Sequence, residues 1–168
     1  GTMFAFQHER ILPDGLILGK ALGGGLLPVS AFLARADVMA VFKAGDHGST
    51  FGGNPLAARV ALEAIETLVD ERLVERSAEL GEWLLEALRA IESPLIRDVR
   101  GKGLLIGIEV DGKLCDARAV CERLMKKGVL SKDTHGTVVR IAPPLVIRRE
   151  QLEVALARAS NLEVRETQ

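Results

Sequence analysis

The run Leu16-Ile17-Leu18-Gly19-Lys20-Ala21-Leu22-Gly23-Gly24-Gly25 restricts this chain more tightly than any other stretch. Its apolar start predicts a short buried strand, and its glycines predict an immediate turn. Val29 to Ala34, just after Pro28, reads as a second strand close enough to be its hairpin partner. Lys20 therefore stands at a strand end among side chains that are small or absent, where a ligand can approach closely. A lysine held in a partly desolvated pocket loses its proton more readily, as a Schiff-base amine must. The same pattern also fits an ordinary strand end with a solvated lysine.

A second concentrated stretch is Gly45-Asp46-His47-Gly48-Ser49-Thr50-Phe51-Gly52-Gly53-Asn54-Pro55. Asn54 suits a helix N-cap and Pro55 the first helical position. Hydroxyls on Ser49 and Thr50, backbone N–H groups and a helix N-terminus together make an anion site. The bland reading of the same residues is a linker rich in turn formers. A third candidate is Arg140, in the β-branched run Thr137-Val138-Val139-Arg140-Ile141-Ala142 before Pro143-Pro144. Its guanidinium can grip a carboxylate with a two-pronged fork, or it can be an exposed arginine on an edge strand.

The remaining pattern divides the chain at the polar residues Asp70-Glu71-Arg72. Before them, residues 3–6 read as a strand-like edge and Gln7 to Arg10 as a polar break. Arg35 to Lys43 reads as a short helix, and the helix from Pro55 carries a stripe of Leu56, Val60, Ala61, Ala64, Ile65 and Leu68. Beyond them, a helix to about Ala90 buries Leu80, Leu84, Leu88 and Ile91, with Trp83 in the core or at an interface. Strands are expected at 95–99 and 104–110, separated by Arg100-Gly101-Lys102-Gly103, and again at 129–131 and 138–142. Ala117, Val120, Cys121, Leu124 and Met125 fall at helical spacing, closed by Lys126-Lys127-Gly128. A last helix buries Leu152, Ala155, Leu156 and Ala159. Residues 1–71 are thus one domain and residues 72–168 a small α+β domain.

Composition removes several functions. With 22 basic and 23 acidic residues in 168, the chain lacks the charge excess of a nucleic-acid binder or a polybasic membrane anchor. No apolar run reaches the roughly 20 residues of a membrane-spanning helix. His8, His47 and His135 are scattered without companion ligands, so no metal is expected. Gly-x-Ser-x-Gly is absent, and Gly23-Gly24-Gly25 lacks the flanks of a dinucleotide fingerprint. Cys115 and Cys121 read as buried free thiols of a reducing compartment, which points to the cytoplasm.

Taken in order, Leu18 to Gly25, then His47 to Leu56, then Arg100-Gly101-Lys102-Gly103-Leu104 resemble the class III aminotransferases. Thr134-His135-Gly136 followed by Val139 to Ile147 is most similar to the ornithine-type members, with acetylornithine and 4-aminobutyrate aminotransferases as near relatives. The resemblance implies an α/β chain: part of the large domain of a type I pyridoxal-phosphate (PLP) aminotransferase fold plus an α+β C-terminal small domain. It implies pyridoxal 5'-phosphate bound through Lys20, a phosphate contact from Thr50 reaching a partner subunit's site in a homodimer, and help from Ser49. It further implies that Arg140 binds the α-carboxylate of glutamate or 2-oxoglutarate. The substrates would be a small amino acid and a 2-oxo acid.

One departure stands out. The family's aspartate for the pyridine nitrogen, its stacking aromatic and a phosphate turn lie upstream of the region matched. Gly1-Thr2 before Met3 has two readings, an addition ahead of an initiator or a strand entered midway, and the resemblance favours the second. The isolated 168 residues are then expected to be inactive, serving at most as a folding or dimerisation module, with part of a sheet left without neighbours.

Overall fold

A hairpin opens the fold. In the computed structural model, which describes residues 1–160, strand β1 (Gly15–Leu18) pairs antiparallel with β2 (Ala31–Ala34), with Leu16 opposite Leu33 and Leu18 opposite Ala31. The expected hairpin is present, but β1 is not a buried strand. Leu16 and Leu18 are half-buried while Ile17 is 80% exposed. Alternation sends Ile17 to the opposite face of the ribbon from Leu16 and Leu18, and that face is uncovered. Arg35, just past β2, donates to Asp14, just before β1, and to both carboxylate oxygens of Asp37 at 3.0 and 2.7 Å. These exposed pairs orient the hairpin base more than they stabilise it.

The chain forms two compact units, Thr2–Leu73 and a second from Val74 onward that includes Gly1. In the first, residues 3–6 do not form a strand. Ala5–Glu9 is a 3-10 turn, because the Gln7 side chain accepts the Phe4 N–H at 2.9 Å while the Gln7 N–H donates to the Phe4 carbonyl at 3.1 Å. The helix expected over 35–43 is a single turn, α1 (Ala36–Met39). Val41 and Phe42 beyond it are 70% and 54% exposed, and one turn without apolar burial does not propagate.

Helix α2 (Pro55–Asp70) starts as the sequence predicts. Asn54 Oδ1 accepts the N–H groups of Leu56 and Ala57 at 2.9 and 3.2 Å, with Pro55 at the first position. Its buried residues are Ala57 and Ala61, and Ala64 approaches the glycine turn that follows Lys20, so small faces small. Within the predicted stripe, Leu56 and Ile65 remain 65% and 38% exposed.

In the second unit, helix α3 (Leu73–Arg89) precedes a four-stranded antiparallel sheet ordered β3-β4-β6-β5. These strands are β3 (Ile96–Lys102), β4 (Leu105–Val110), β5 (Lys132–Thr134) and β6 (Val138–Ile141). Helix α4 (Ala117–Lys126) and helix α5 (Arg149–Ser160) complete the unit. All three helices contribute to one face of the sheet. Leu84 and Leu88 of α3 pack with Val99, Ile106 and Leu152, while Val120, Cys121 and Leu124 of α4 pack with Val110 and Val139. Cys121 is buried and Cys115 only half so; both thiols are free.

Two strand boundaries differ from expectation. β3 runs through Arg100-Gly101-Lys102, because Gly103 at φ +54° makes a two-residue connection directly to β4. Gly81 of α3 lies against that connection so closely that a Cβ there would sit 2.2 Å from the Gly103 carbonyl carbon. The strand expected at 129–131 begins instead at Lys132. The Val129 N–H still donates to the Leu124 carbonyl, so residues leaving α4 are committed to its cap.

Candidate active site

Lys20 sits one residue past Leu18 and Gly19 and opens a 3-10 turn, Lys20–Gly23. Its φ of +52° lies in the left-handed region, which costs an L-residue with a Cβ roughly 1–2 kcal/mol. Gly24 and Gly25 follow at φ +58° and +76°, conformations that glycine adopts without that penalty. Strained non-glycine backbone concentrates where side chains must be aimed. Lys20 is exposed and lines a cleft of about 1170 Å³ formed within the first unit. Its lining is rich in glycine and alanine, with Leu22, Leu27, Val29 and Ile65 among the larger apolar residues and Ser30, Ser49 and Asn54 among the polar ones.

The cleft brings Lys20 and Ser49 together; Thr50 is not part of its lining. Ser49 Oγ accepts the Gly52 N–H at 2.9 Å, closing the turn that carries Thr50. The anion site expected from this loop is therefore narrower than the residue types suggest. The N–H groups of Leu56 and Ala57 are taken by Asn54, whereas Ser49 Oγ accepts the Gly52 N–H and keeps its own O–H to donate. The Thr50 hydroxyl has no hydrogen-bond partner among the described residues. Among the described residues no carboxylate lines the cleft. The Lys20 amine, the hydroxyls of Ser30 and Ser49 and a lining rich in glycine fit an aldehyde-bearing phosphate cofactor. The acid that would face its ring nitrogen is not supplied by this lining.

Arg140 belongs to the second unit. It is not on an edge strand, since β6 lies between β4 and β5, with Arg140 opposite Gly107 on one side and Lys132 on the other. It projects from the sheet face away from Val139 and Ile141, is exposed, and has no carboxylate partner among the described residues. Its neighbour Arg100 differs, being bound by Asp98 and Glu109, each at 2.8 Å. Glu109 also accepts from the Thr137 hydroxyl at 2.6 Å. This network was hidden in the sequence: alternation in 105–110 places Gly107 and Glu109 on one face, but only the register sets them beside Arg100 and Arg140.

The Thr137 hydroxyl first, and then Arg100, hold the Glu109 carboxyl below its ordinary pKa. A folded-state pKa below the unfolded value stabilises the fold above the ordinary carboxylate range, and that stability is lost as pH falls through the folded pKa. Thr137→Val is therefore expected to destabilise the unit at neutral pH, with the difference from wild type closing in acid. Circular dichroism across an acid titration reads this out, and parallel curves at every pH would exclude it.

Among the described residues there is no cluster of three or more His, Cys, Asp or Glu able to hold a metal, and no helix long and apolar enough to cross a membrane. The family model for aminotransferase class-III matches residues 1–162. The ornithine aminotransferase of Geobacillus sp. (strain WCH70) is 50% identical over 162 residues, covering 96% of this chain and 40% of its own length. The structure of ornithine aminotransferase from Toxoplasma gondii ME49 superposes with a TM-score of 0.90 at 46% identity, over 95% of this chain and 38% of that one. Acetylornithine aminotransferase from Elizabethkingia anophelis follows at 0.87 and 44%, over 95% and 43%. The chain thus spans about two fifths of the length of these relatives. A match over nearly every residue, in both sequence and fold, shows that this chain belongs to the class III aminotransferases.

Proposed function

We propose that the protein containing this chain transfers the terminal amino group of ornithine to 2-oxoglutarate, giving glutamate 5-semialdehyde and glutamate in a ping-pong cycle. The observation that carries this reading is Lys20, held at φ +52° on the lining of a glycine-rich cleft. Pyridoxal 5'-phosphate, when bound, supplies the electron sink for the carbon that bears the amine. Lys20 Nζ would be the nucleophile that holds the cofactor and, once released from it, the base that carries a proton away from that carbon in a 1,3-transfer. The Thr50 hydroxyl holds phosphate, reaching a partner subunit's site in a homodimer, and the Ser49–Gly52 bond shapes the turn that presents it. Arg140 grips the α-carboxylate of the 2-oxo acid through its unpaired guanidinium.

These 168 residues alone are inactive in this reading, because no carboxylate in the cleft can keep a ring nitrogen protonated. Likeness to an acetylornithine aminotransferase structure makes acetylornithine the competing donor, with 4-aminobutyrate a further one. The test is turnover of the complete protein with each donor. Preference for ornithine is expected, together with a rise of about tenfold or more in KM for 2-oxoglutarate in Arg140→Lys, which cannot reproduce the fork. Equal use of the three donors would overturn the ornithine assignment. Turnover by the 168 residues alone would overturn their inactivity.

A further inference from the structure

One line across the outer face of the sheet reads Arg100, Gly107, Arg140, Lys132, one residue from each of β3, β4, β6 and β5. Three of the four are cations, and like charges at directly opposed positions destabilise a sheet. Two are neutralised locally: Arg100 by Asp98 and Glu109, and Lys132 by Asp133 at 3.1 Å. Arg140 is the member left over.

Gly107 separates the two arginines. Its φ is not positive, so the backbone does not demand glycine there. A glycine inside a strand weakens it and marks a place where something approaches closely. What a side chain would meet is specific. A Cβ at 107 would stand 3.3 Å from Val138 Cγ1 and 4.0 Å from the Arg100 carbonyl oxygen, so one methyl is tight and a branched side chain must spread over the face. Directly opposed side chains in an antiparallel pair begin only about 4.5–5.5 Å apart, which puts that space beside the stem of Arg140.

We propose that Gly107 is a specificity-determining residue for the carboxylate grip of Arg140: its missing side chain keeps open the strip of sheet face that the guanidinium and an incoming carboxylate share. The proposal rests on the role given to Arg140 above. Arg100, tied from two sides, is kept out of this strip and does not compete for the carboxylate.

The experiment is steady-state kinetics of the complete enzyme carrying Gly107→Val, Arg140→Lys, or both, with thermal unfolding of each. Gly107→Val is expected to raise KM for the 2-oxo acid about tenfold with a much smaller change in kcat. Its Tm should stay close to that of wild type, since the better fit of a β-branched residue to a strand offsets the tight approach to Val138. In the Arg140→Lys background the same change should add little, because both act on one contact. Gly107→Ala should fall between Gly107→Val and wild type. An unchanged KM in Gly107→Val beside a raised KM in Arg140→Lys would overturn the role of Gly107 and leave that of Arg140 standing. An unchanged KM in Arg140→Lys would overturn both. A fall in kcat and Tm together in Gly107→Val would show a structural glycine and also overturn the proposal.

Discussion

Replacing Lys20 with alanine is expected to abolish covalent capture of pyridoxal phosphate and to lower transamination by about 10⁴-fold or more, since the proposed nucleophile and proton carrier are lost in one change. Borohydride reduction of the complete protein with the cofactor, followed by peptide mapping, should place the adduct on the Lys20 peptide and on no other. A more discriminating variant is Lys20→Gly. The native φ of +52° strains any residue with a Cβ and does not strain glycine, so this variant should be equally inactive yet no less stable than Lys20→Ala. Inactivity with a higher Tm is the signature of strain held at a working position. A reduced adduct on another lysine would remove Lys20 from its role altogether.

The largest structural effect is expected at Ile106, which is 1% exposed and sits with Leu84, Leu88, Val99, Leu104 and Leu152. Ile106→Ala should cost about 2–5 kcal/mol, from lost transfer energy plus the cavity left behind. Domains of this size have roughly 5–15 kcal/mol in all, so the variant should be close to unfolding at physiological temperature. Urea unfolding followed by Trp83 fluorescence reports on this cluster, because Trp83 packs against it with Arg149 stacked 4.5 Å from its ring centre. Ile17→Ala, at an 80% exposed position, should change stability by about 0.5 kcal/mol or less. Equal losses at both sites would mean that burial does not set the cost.

Local chemistry was the legible part of the sequence. Asn54-Pro55 announced both the cap and the first residue of α2, Gly128 closed α4, and the hairpin of β1 and β2 followed from two short apolar runs across a glycine turn. Each rests on contacts within a few residues, where side-chain geometry and φ preference decide the outcome. Two of the misreadings share one cause: they needed a neighbouring surface supplied from elsewhere in the chain. Residues 3–6 alternate like a strand but have no strand beside them, so the Gln7 side chain captured the backbone instead. Residues 36–43 carry an apolar pattern without a surface to bury it, and the helix stopped after one turn.

By itself the sequence determined which chemistry these residues could perform: an amine at a glycine turn, hydroxyls before a helix, and a guanidinium in a β-branched run. Residue type and short spacing carry that information, and they survive any arrangement of the rest. Tertiary structure decided which groups remain available. It set Lys20 at φ +52°, fixed the Ser49 hydroxyl oxygen on the Gly52 N–H, and tied Arg100 to Asp98 and Glu109 while leaving Arg140, opposite Gly107, without a carboxylate partner among the described residues. Strand register and side-chain partnership join residues far apart in the chain. One-residue slips reverse every facing, so no local pattern could have disclosed them.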